Sequence, residues 1–401
     1  MMLVVALVCA GLQPAVFVVE PYLQLGPNPR EAHVSVLWHA REREGWTVRT
    51  ASSDGSAAAT SWSVQAERRV GSRWVLRADI GRGASYEVLR HGRVVFQAPL
   101  RTLPAPDQSY RVVMMGDSGR GTAGQRNLAG RLAKAQPDLL GIAGDIAYPH
   151  GTVEEYDRYH FGVYRSLLAR TISFAAPGNH DTGYNSLSRF PTGLAYYLFW
   201  SQPLNGPALA TDFGLRGTDA QKGAFRQSAG TNFPRMSNYS FTFGNSHWTV
   251  IDSNPYLNWR KGPHRDWLAK TLETARKHDW SFVVFHHPPY FTGKTHAGHT
   301  FMRSIADLLA RHRVDAVFSG HVHNYQRSRR IDGVIYIVTG AGGAELYDRS
   351  FENQPARWQP FTEKFIAKHS FTQLDFGGRR LTLRQIGLDG RELDRIDLQA
   401  K

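Results

Sequence analysis

The chain has 401 residues, of which 42% are hydrophobic and 20% are charged. This is a globular composition, and the length is sufficient for two domains. The formal net charge of +14 supports an anionic substrate only weakly. No dense block of Lys and Arg stands out, so a specific nucleic-acid partner is not indicated.

The first residues form an apolar run from Met2 to Ala10. The run has the length of a signal-peptide core and is too short to span a bilayer. Val8-Cys9-Ala10 approaches a cleavage pattern, although no Lys or Arg precedes the run. We predict a signal peptide over residues 1–15 and a secreted or periplasmic protein without a transmembrane span; the alternative is a first strand of the next domain.

Cys9 is the single cysteine of the sequence. Its removal with the signal peptide would exclude disulfides and thiolate metal ligands from the mature protein. An exported protein without disulfides is more typical of a bacterial periplasm or exterior than of eukaryotic secretion.

Residues 16–105 alternate between apolar and polar positions over short runs and show no helical period. Short strands at such spacing predict an all-β sandwich. Pro104-Ala105-Pro106 follows as a domain linker. The predicted strands cover residues 34–38, 46–50, 62–64, 74–76, 86–89 and 93–96.

Residues 106–401 alternate between apolar strands and amphipathic helices, which predicts an α/β (α+β) domain with mixed sheets flanked by helices. The segment 184–237 is rich in Gly, Pro, Ser and aromatic residues and reads as a functional loop or lid. A hairpin is predicted over 239–250. The predicted helices are 125–135, 153–170, 264–277 and 301–311, and the predicted strands are 112–115, 139–143, 171–175, 282–285, 314–318, 334–338, 370–376, 381–386 and 393–398.

Five of these strands end in residues of the types that can bind metal ions. Each strand end alone is more often a turn or a structural histidine, but the recurrence in one domain is hard to ascribe to turns. Functional groups gather at the carboxyl ends of strands, so we expect them to meet at one rim of a central sheet. The residues are Asp117, Asp145, Tyr148, Asn179, His286, His321 and His323.

This set offers oxygen and imidazole donors, which suit Zn, Fe and Mn. Seven groups are too many for one tetrahedral ion. They suit two ions that share a bridging carboxylate, an arrangement that serves in-line phosphoryl displacement.

The motifs Gly-Asp-Ser-Gly (116–119), Gly-Asp-Ile-Ala-Tyr (144–148), Gly-Asn-His-Asp (178–181), Val-Val-Phe-His (283–286) and Gly-His-Val-His (320–323) occur in this order. They resemble the five blocks of purple acid phosphatases, a branch of the calcineurin-like metallophosphoesterases. The tyrosine after the second aspartate indicates the purple branch. The β-rich residues 16–105 resemble the fibronectin-type-III-like domain of that family, which leaves 106–401 as the metallophosphoesterase domain.

The resemblance implies a role for each ligand. Asp117, Tyr148 and His323 would hold Fe(III), and Asp145 would bridge to a second ion, Fe(II), Zn or Mn. The second ion would be held by Asn179, His286 and His321.

The resemblance also implies catalytic residues. His180 would donate to the phosphate, with Asp181 as a possible orienter, although the family more often has Glu at that position. The acid for the leaving oxygen is left open among His296, His299 and His287, in that order of preference.

The implied function is a dinuclear acid phosphatase that hydrolyses small phosphomonoesters by in-line attack of a metal-bound hydroxide. The alternative is a phosphodiesterase for nucleotides or lipid headgroups that uses the same site. A third and weaker reading is a non-enzymatic surface binding protein with a vestigial metal site.

Overall fold

The computed structural model describes residues 16–51, 59–208 and 214–400. The predicted signal peptide over 1–15, with Cys9, therefore lies outside the described residues. Within the described ranges, none of the helices combines the length and the hydropathy that crossing a bilayer requires.

The described residues between 19 and 99 form two antiparallel layers that face each other. Trp38, Leu76 and Ile80 of one layer share a buried core with Val48 and Val88 of the other, so the predicted all-β sandwich is confirmed. One layer has the order β1-β2-β6-β5 and the other β4-β3-β7-β8. The strands are β1 (Val19–Gln24), β2 (Val34–Ala40), β3 (Trp46–Ala51), β4 (Thr60–Trp62), β5 (Gln65–Val70), β6 (Arg73–Ile80), β7 (Ser85–Arg90) and β8 (Arg93–Pro99).

A parallel β-α-β unit opens the second part of the chain. It consists of β9 (Tyr110–Met115), α1 (Ala123–Ala135) and β10 (Leu139–Ala143), and β11 (Ile172–Ala176) pairs in parallel beside β10. The Thr122 side chain caps α1 by accepting from the Gln125 amide. The predicted βαβ unit and its apolar helix face are confirmed, since Leu128 and Leu132 are fully buried.

The predicted helix over 153–170 is helical but not uniform. It consists of α2 (Val153–Glu155), a π-helical turn (Tyr156–Phe161) and α3 (Gly162–Leu168). The π turn places both Tyr156 and His160 in the core. After β11 the short helix α4 (Asn179–Thr182) follows at once.

The segment 184–237 was predicted as a loop or lid, and its described residues pack firmly on the domain. It contains α5 (Ala195–Phe199), α6 (Asp219–Ala229) and α7 (Asn232–Arg235). Every residue of α5 is buried. The residues of α5 therefore belong to the core, whereas α6 buries only Phe225 and Ala229. Helices α5 and α7 escaped prediction because they are only five and four residues long, and α6 escaped because so few apolar residues mark its period.

A second sheet has the order β12-β13-β14-β15-β17-β16-β18. Its outer face is covered by α8 (Pro263–Ala275), a 3₁₀ turn (Phe301–Ile305) and α9 (Ala306–Arg311). Further 3₁₀ turns lie at Arg349–Phe351 and Pro355–Arg357. The strands are β12 (Tyr239–Phe243), β13 (Ser246–Val250), β14 (Trp280–Val284), β15 (Ala316–Ser319), β16 (Tyr325–Ser328), β17 (Ile335–Thr339) and β18 (Thr362–Ile366).

The last three strands return to the first sheet. They are β19 (Ser370–Gly377), β20 (Arg380–Gly387) and β21 (Glu392–Gln399), and β19 pairs with β9. Among the described residues the first sheet therefore runs β21-β20-β19-β9-β10-β11-β1-β2-β6-β5 and continues into the sandwich.

The two larger sheets pack face to face, with the Phe174 and Trp248 rings 5.6 Å apart between them. The expectation that all ligand residues meet at the rim of one sheet is therefore wrong. β9, β10 and β11 belong to one sheet, and β14 and β15 belong to the other.

Candidate metal centre

Each predicted ligand lies within five residues of the end of a buried strand. Asp117 follows β9, Asp145 follows β10, and His286 follows β14. Asn179 begins α4 after β11, and the segment 321–323 follows β15. Asp117, Asp145 and His321 adopt left-handed backbone conformations, with φ of 56°, 54° and 67°. Such angles are unfavourable for non-glycine residues and are concentrated at functional sites.

Small residues let the ligand loops approach one another. A Cβ atom on Gly178 would lie 2.1 Å from Asp145 Oδ1, and one on Gly320 would lie 2.5 Å from Asp117 Oδ2. The backbone amide of His321 donates to both oxygens of Asp117, at 3.0 and 2.9 Å. The loop after β15 of the second sheet thus holds the Asp117 carboxylate, which follows β9 of the first sheet.

One group of donor atoms consists of Asp117, Tyr148 and His323. The Tyr148 hydroxyl lies 3.1 Å from Asp117 Oδ1 and 3.1 Å from His323 Nε2. His323 Nε2 lies 3.4 Å from Asp117 Oδ1. These side chains are nearly or fully buried.

A second group consists of Asn179, His286 and His321. Asn179 Oδ1 lies 3.0 Å from His286 Nε2 and 3.1 Å from His321 Nδ1. Asp145 joins the two groups. Its Oδ2 lies 3.3 Å from His286 Nε2, and ligand atoms of Asp145, His286 and Asp117 all lie within 4.8 Å of one another. The structure thus brings together all seven residues predicted as ligands.

Hydrogen bonds from the Nδ1 atoms orient the imidazole rings of His286 and His323. His286 Nδ1 donates to the Ala143 carbonyl at 2.9 Å, and His323 Nδ1 donates to the Glu345 carbonyl at 2.7 Å. Since a carbonyl only accepts, both Nδ1 atoms carry protons and both Nε2 atoms turn toward the carboxylates. Metal-binding histidines are typically oriented in this way.

The charge balance of the site fits cations. Burial lowers the pKa of His286, but Asp145 and Asp117 outweigh burial and raise this pKa to about 9. Burial raises the pKa of Tyr148 well above its usual value, and Asp117 and Asp145 raise it further. The site therefore attracts positive charge, and a phenolate at Tyr148 requires a strong cation beside it. Oxygen and imidazole donors in two joined groups fit two metal ions.

His180 lies at the edge of the two groups. Its Nδ1 donates to the Pro149 carbonyl at 2.7 Å, and its Nε2 lies 3.9 Å from Asp145 Oδ2. The side chain is 24% exposed, so a ligand over the site can reach Nε2.

Asp181 does not orient the His180 ring, contrary to the expectation. Its carboxylate accepts from the amides of Gly178 at 2.8 Å, Asp145 at 2.8 Å and Ile146 at 3.1 Å. It therefore fixes the backbone of two ligand loops to each other. Burial and the neighbouring Asp145 raise the pKa of Asp181 to about 7.

The three histidines left open as the acid occupy different environments. His287 is buried and its Nδ1 lies 2.9 Å from Ser253 Oγ. His299 Nδ1 lies 2.8 Å from His321 Nε2. His296 is half-buried, and its ring lies against that of His321 with centroids 4.1 Å apart and a tilt of 33°.

Two neighbours of the first donor group were not predicted from the sequence. The Tyr347 ring stacks on His323 with centroids 3.9 Å apart. The Arg120 guanidinium lies 5.5 Å from the centre of the Tyr148 ring and pairs with Glu345 at 3.4 Å. Arg120 lies five residues after β9, but arginine is not a metal-binding residue type, and Tyr347 lies eight residues after β17. The search for metal-binding residues at strand ends therefore did not find them.

Comparisons with known proteins agree with this geometry. The calcineurin-like phosphoesterase family model matches residues 110–325, which is more than half of the chain. Purple acid phosphatase 21 of Arabidopsis thaliana is 38% identical over 232 residues, which cover 52% of this chain and 50% of that protein. The phosphoenolpyruvate phosphatase of Allium cepa is 24% identical over 299 residues, 70% of this chain and 56% of that protein.

Among solved structures, the purple acid phosphatase PPD1 from Lupinus luteus seeds has a TM-score of 0.74 at 17% identity and covers 94% of this chain and 74% of that chain. PhoD has a TM-score of 0.62 at 13% identity, with 96% and 89% covered. These two show the shared fold. The chain spans about half the length of the first curated relatives it matches. It belongs to the calcineurin-like phosphoesterase family, as a member similar to the purple acid phosphatases.

Proposed function

We propose that this protein hydrolyses phosphate monoesters at a centre of two metal ions. The observation that carries the proposal is the convergence of seven donor side chains in two groups joined by Asp145. The names of the plant relatives, acid phosphatases and a phosphoenolpyruvate phosphatase, support the same reaction.

The two groups of donors suggest which residues would hold each ion. Asp117, Tyr148 and His323 would hold one ion, proposed as Fe(III) because Tyr148 must lose its proton to bind. Asn179, His286 and His321 would hold a divalent Fe, Zn or Mn ion, and Asp145 would be shared. When bound, such ions supply Lewis acidity for water and for the oxygens of the phosphoryl group.

The protein's own residues would then position the ester and move a proton. His180 Nδ1 is committed to the Pro149 carbonyl, so Nε2 faces the site. When the ring carries a second proton, Nε2 is placed to donate to a phosphate oxygen. His296 is proposed as the acid for the leaving oxygen. It is partly open to solvent, whereas His287 is buried against Ser253 and His299 is engaged by His321.

The test is to purify the full chain, measure its bound metals, and follow turnover of 4-nitrophenyl phosphate. We expect two ions per chain and turnover that Asp145→Asn abolishes. Fewer than one tightly bound ion, and no turnover after addition of Fe, Zn or Mn, would contradict the proposal. Asp138→Asn, a change at an aspartate outside the seven ligands, is the matched control.

A second candidate is phosphodiester hydrolysis at the same site. The nucleotide pyrophosphatase/phosphodiesterase of Hordeum vulgare is 23% identical over 334 residues, 71% of this chain and 82% of that protein. Comparing rates with 4-nitrophenyl and bis(4-nitrophenyl) phosphate separates the two candidates. A faster diester rate would favour the second.

A further inference from the structure

A continuous row of rings leads away from the donor groups toward the surface. It begins at buried Tyr148, continues through His180, whose centroid is 4.4 Å away, and reaches Tyr184, 5.6 Å from His180. Beyond Tyr184 lie His150 at 4.7 Å and Phe190 at 5.3 Å. We call these five rings the aromatic row.

The outer part of the row is built by two different segments. Tyr184 and Phe190 come from the segment 184–237, and His150 follows Tyr148 on the β10 loop. The His150 ring stacks on Phe190 with centroids 4.4 Å apart at 27°. The His150 backbone amide donates to Glu155 Oε2 at 3.0 Å, which holds this loop in place. The rings therefore have a fixed arrangement.

Exposure along the row rises outward from the metal centre. Tyr148 is 3% exposed, the His180 side chain 24% and the His150 side chain 34%. Tyr184 and Phe190 are also partly exposed. Large rings that stay partly open beside a polar site offer flat apolar surface to a ligand.

We infer that the aromatic row selects phosphate esters whose leaving group carries a planar ring. The inference rests on the proposed function, since it places the phosphoryl group beside His180. From there, a ring attached directly to the ester oxygen would reach Tyr184. A base separated from the phosphate by a sugar would extend one ring further, to Phe190 and His150.

Positive charge along the row suits such an ester. The Arg189 guanidinium lies 5.3 Å from the centre of the Phe190 ring, and the Arg120 guanidinium lies over Tyr148 at the inner end. The charge of Arg120 is offset by its pairing with Glu345, whereas Arg189 can attract the anionic substrate without contacting the reacting atoms.

The test compares phenyl phosphate, adenosine 5′-monophosphate and glycerol 3-phosphate as substrates of the full, metal-loaded chain. In Tyr184→Ala, kcat/KM for the two ring-bearing esters should fall roughly tenfold relative to glycerol 3-phosphate, mainly through KM. Tyr184→Phe should retain the selectivity. Phe190→Ala should lower the ratio for the nucleotide but not for phenyl phosphate.

Trp358→Ala removes a partly buried ring that stacks on Phe365 in the second sheet, and it serves as the matched control. Equal losses for all three esters in Tyr184→Ala, or no loss for any, would overturn the inference. If kcat/KM fell only for phenyl phosphate in both Tyr184→Ala and Phe190→Ala, the inference that the aromatic row also selects nucleotides would be overturned.

A binding measurement that does not depend on turnover can test this inference independently of the proposed function. The affinities of phenylphosphonate and ethylphosphonate can be measured by calorimetry without turnover. A preference for phenylphosphonate that Tyr184→Ala removes supports the aromatic row even in a protein that hydrolyses nothing, and absence of that preference contradicts it.

Discussion

The Tyr148 hydroxyl is placed symmetrically between Asp117 and His323, which makes it the most direct test of a single residue. We predict that Tyr148→Phe folds normally but loses any visible absorption band of the metal-loaded protein. The reason is that a phenolate bond to Fe(III) requires the oxygen that this change removes. An absorption spectrum with elemental analysis measures the effect.

Tyr347→Phe is the matched control for that experiment. Its ring lies flat against His323, and its oxygen is not part of either donor group. The band should therefore persist in this variant. A band that survives Tyr148→Phe would exclude Tyr148 as the source of the colour.

His299 contacts His321 through an exposed side chain, whereas His286 and His323 are oriented by backbone carbonyls. We predict that His299→Ala weakens retention of one of the two ions by roughly 10- to 100-fold, because His321 loses the group that orients it. Competition with a chelator measures the affinity. His296→Ala removes the residue proposed as the acid, so it should lower turnover without weakening metal retention. Equal metal loss in both variants would contradict this assignment.

Residue by residue, the sequence predicted which side chains converge but not how each is used. Ligand-type residues after apolar strands are visible in the sequence, and the structure brings all seven together. The structural role of Asp181 could not be predicted from the sequence. Its carboxylate accepts hydrogen bonds from the backbone amides of Gly178, Asp145 and Ile146. Such bonds depend on loop positions that no spacing in the sequence encodes.

At the scale of elements, the approach of two ligand loops depends on Gly178. Its missing side chain leaves room for Asp145 Oδ1 and for the Asp145 amide nitrogen, which a Cβ would approach to 2.1 and 2.4 Å. We predict that Gly178→Ala lowers the free energy of unfolding by about 1–3 kcal/mol. It should also lower metal content, because Asp145 must shift. Denaturant unfolding and elemental analysis measure both.

Gly223 provides the contrast, because it lies inside α6 and a Cβ there meets nothing within 4 Å. Gly223→Ala should raise the free energy of unfolding by about 0.5–1 kcal/mol, since alanine favours a helix over glycine. A similar loss of stability in both variants would show that close packing at Gly178 is not the cause.

Most long elements were predictable because their apolar periodicity is strong, as in α1 and the hairpin of β12 and β13. Several features were not. Strands β16 and β18 were not predicted, since runs of four and five residues carry little periodicity. The division into two facing sheets was also missed, because it depends on the pairing of β9 with β19 rather than with β14, a contact between distant parts of the chain.

At the scale of the whole molecule, buried histidines should set the response to acid. Burial, and to a lesser degree His278, lower the pKa of His247 to about 4, and burial lowers the pKa of His160 to about 3. The unfolded chain takes up these protons near pH 6.5, before the folded state does. Stability is therefore full above pH 6.5 and falls as the pH drops toward the folded values.

We predict that His247→Gln reduces the stability lost between pH 6.5 and pH 4 by roughly 2–3 kcal/mol. Urea unfolding at the two pH values measures this loss in the wild type and the variant. His91→Asn, at an exposed histidine, should leave the loss unchanged. An undiminished loss in His247→Gln would remove this histidine as a cause.

The predicted division of the chain at residues 105 and 106 remains a prediction. In the structure the first sheet includes strands from both sides of this division, since β1 pairs with both β2 and β11. A single sheet thus connects the sandwich to the strands that carry Asp117, Asp145 and Asn179.

The donor side chains come from both facing sheets, and this origin has a mechanical consequence. Cations bound there would cross-link the two sheets, so separating the sheets would also require the ions to dissociate. The melting temperature should therefore climb with the free concentration of metal, by the mass-action rule for any ligand of the native state. Dialysis against a chelator should lower the melting temperature reversibly. A wild-type melting temperature that does not change with metal concentration would mean that bound ions do not stabilise the interface between the two sheets.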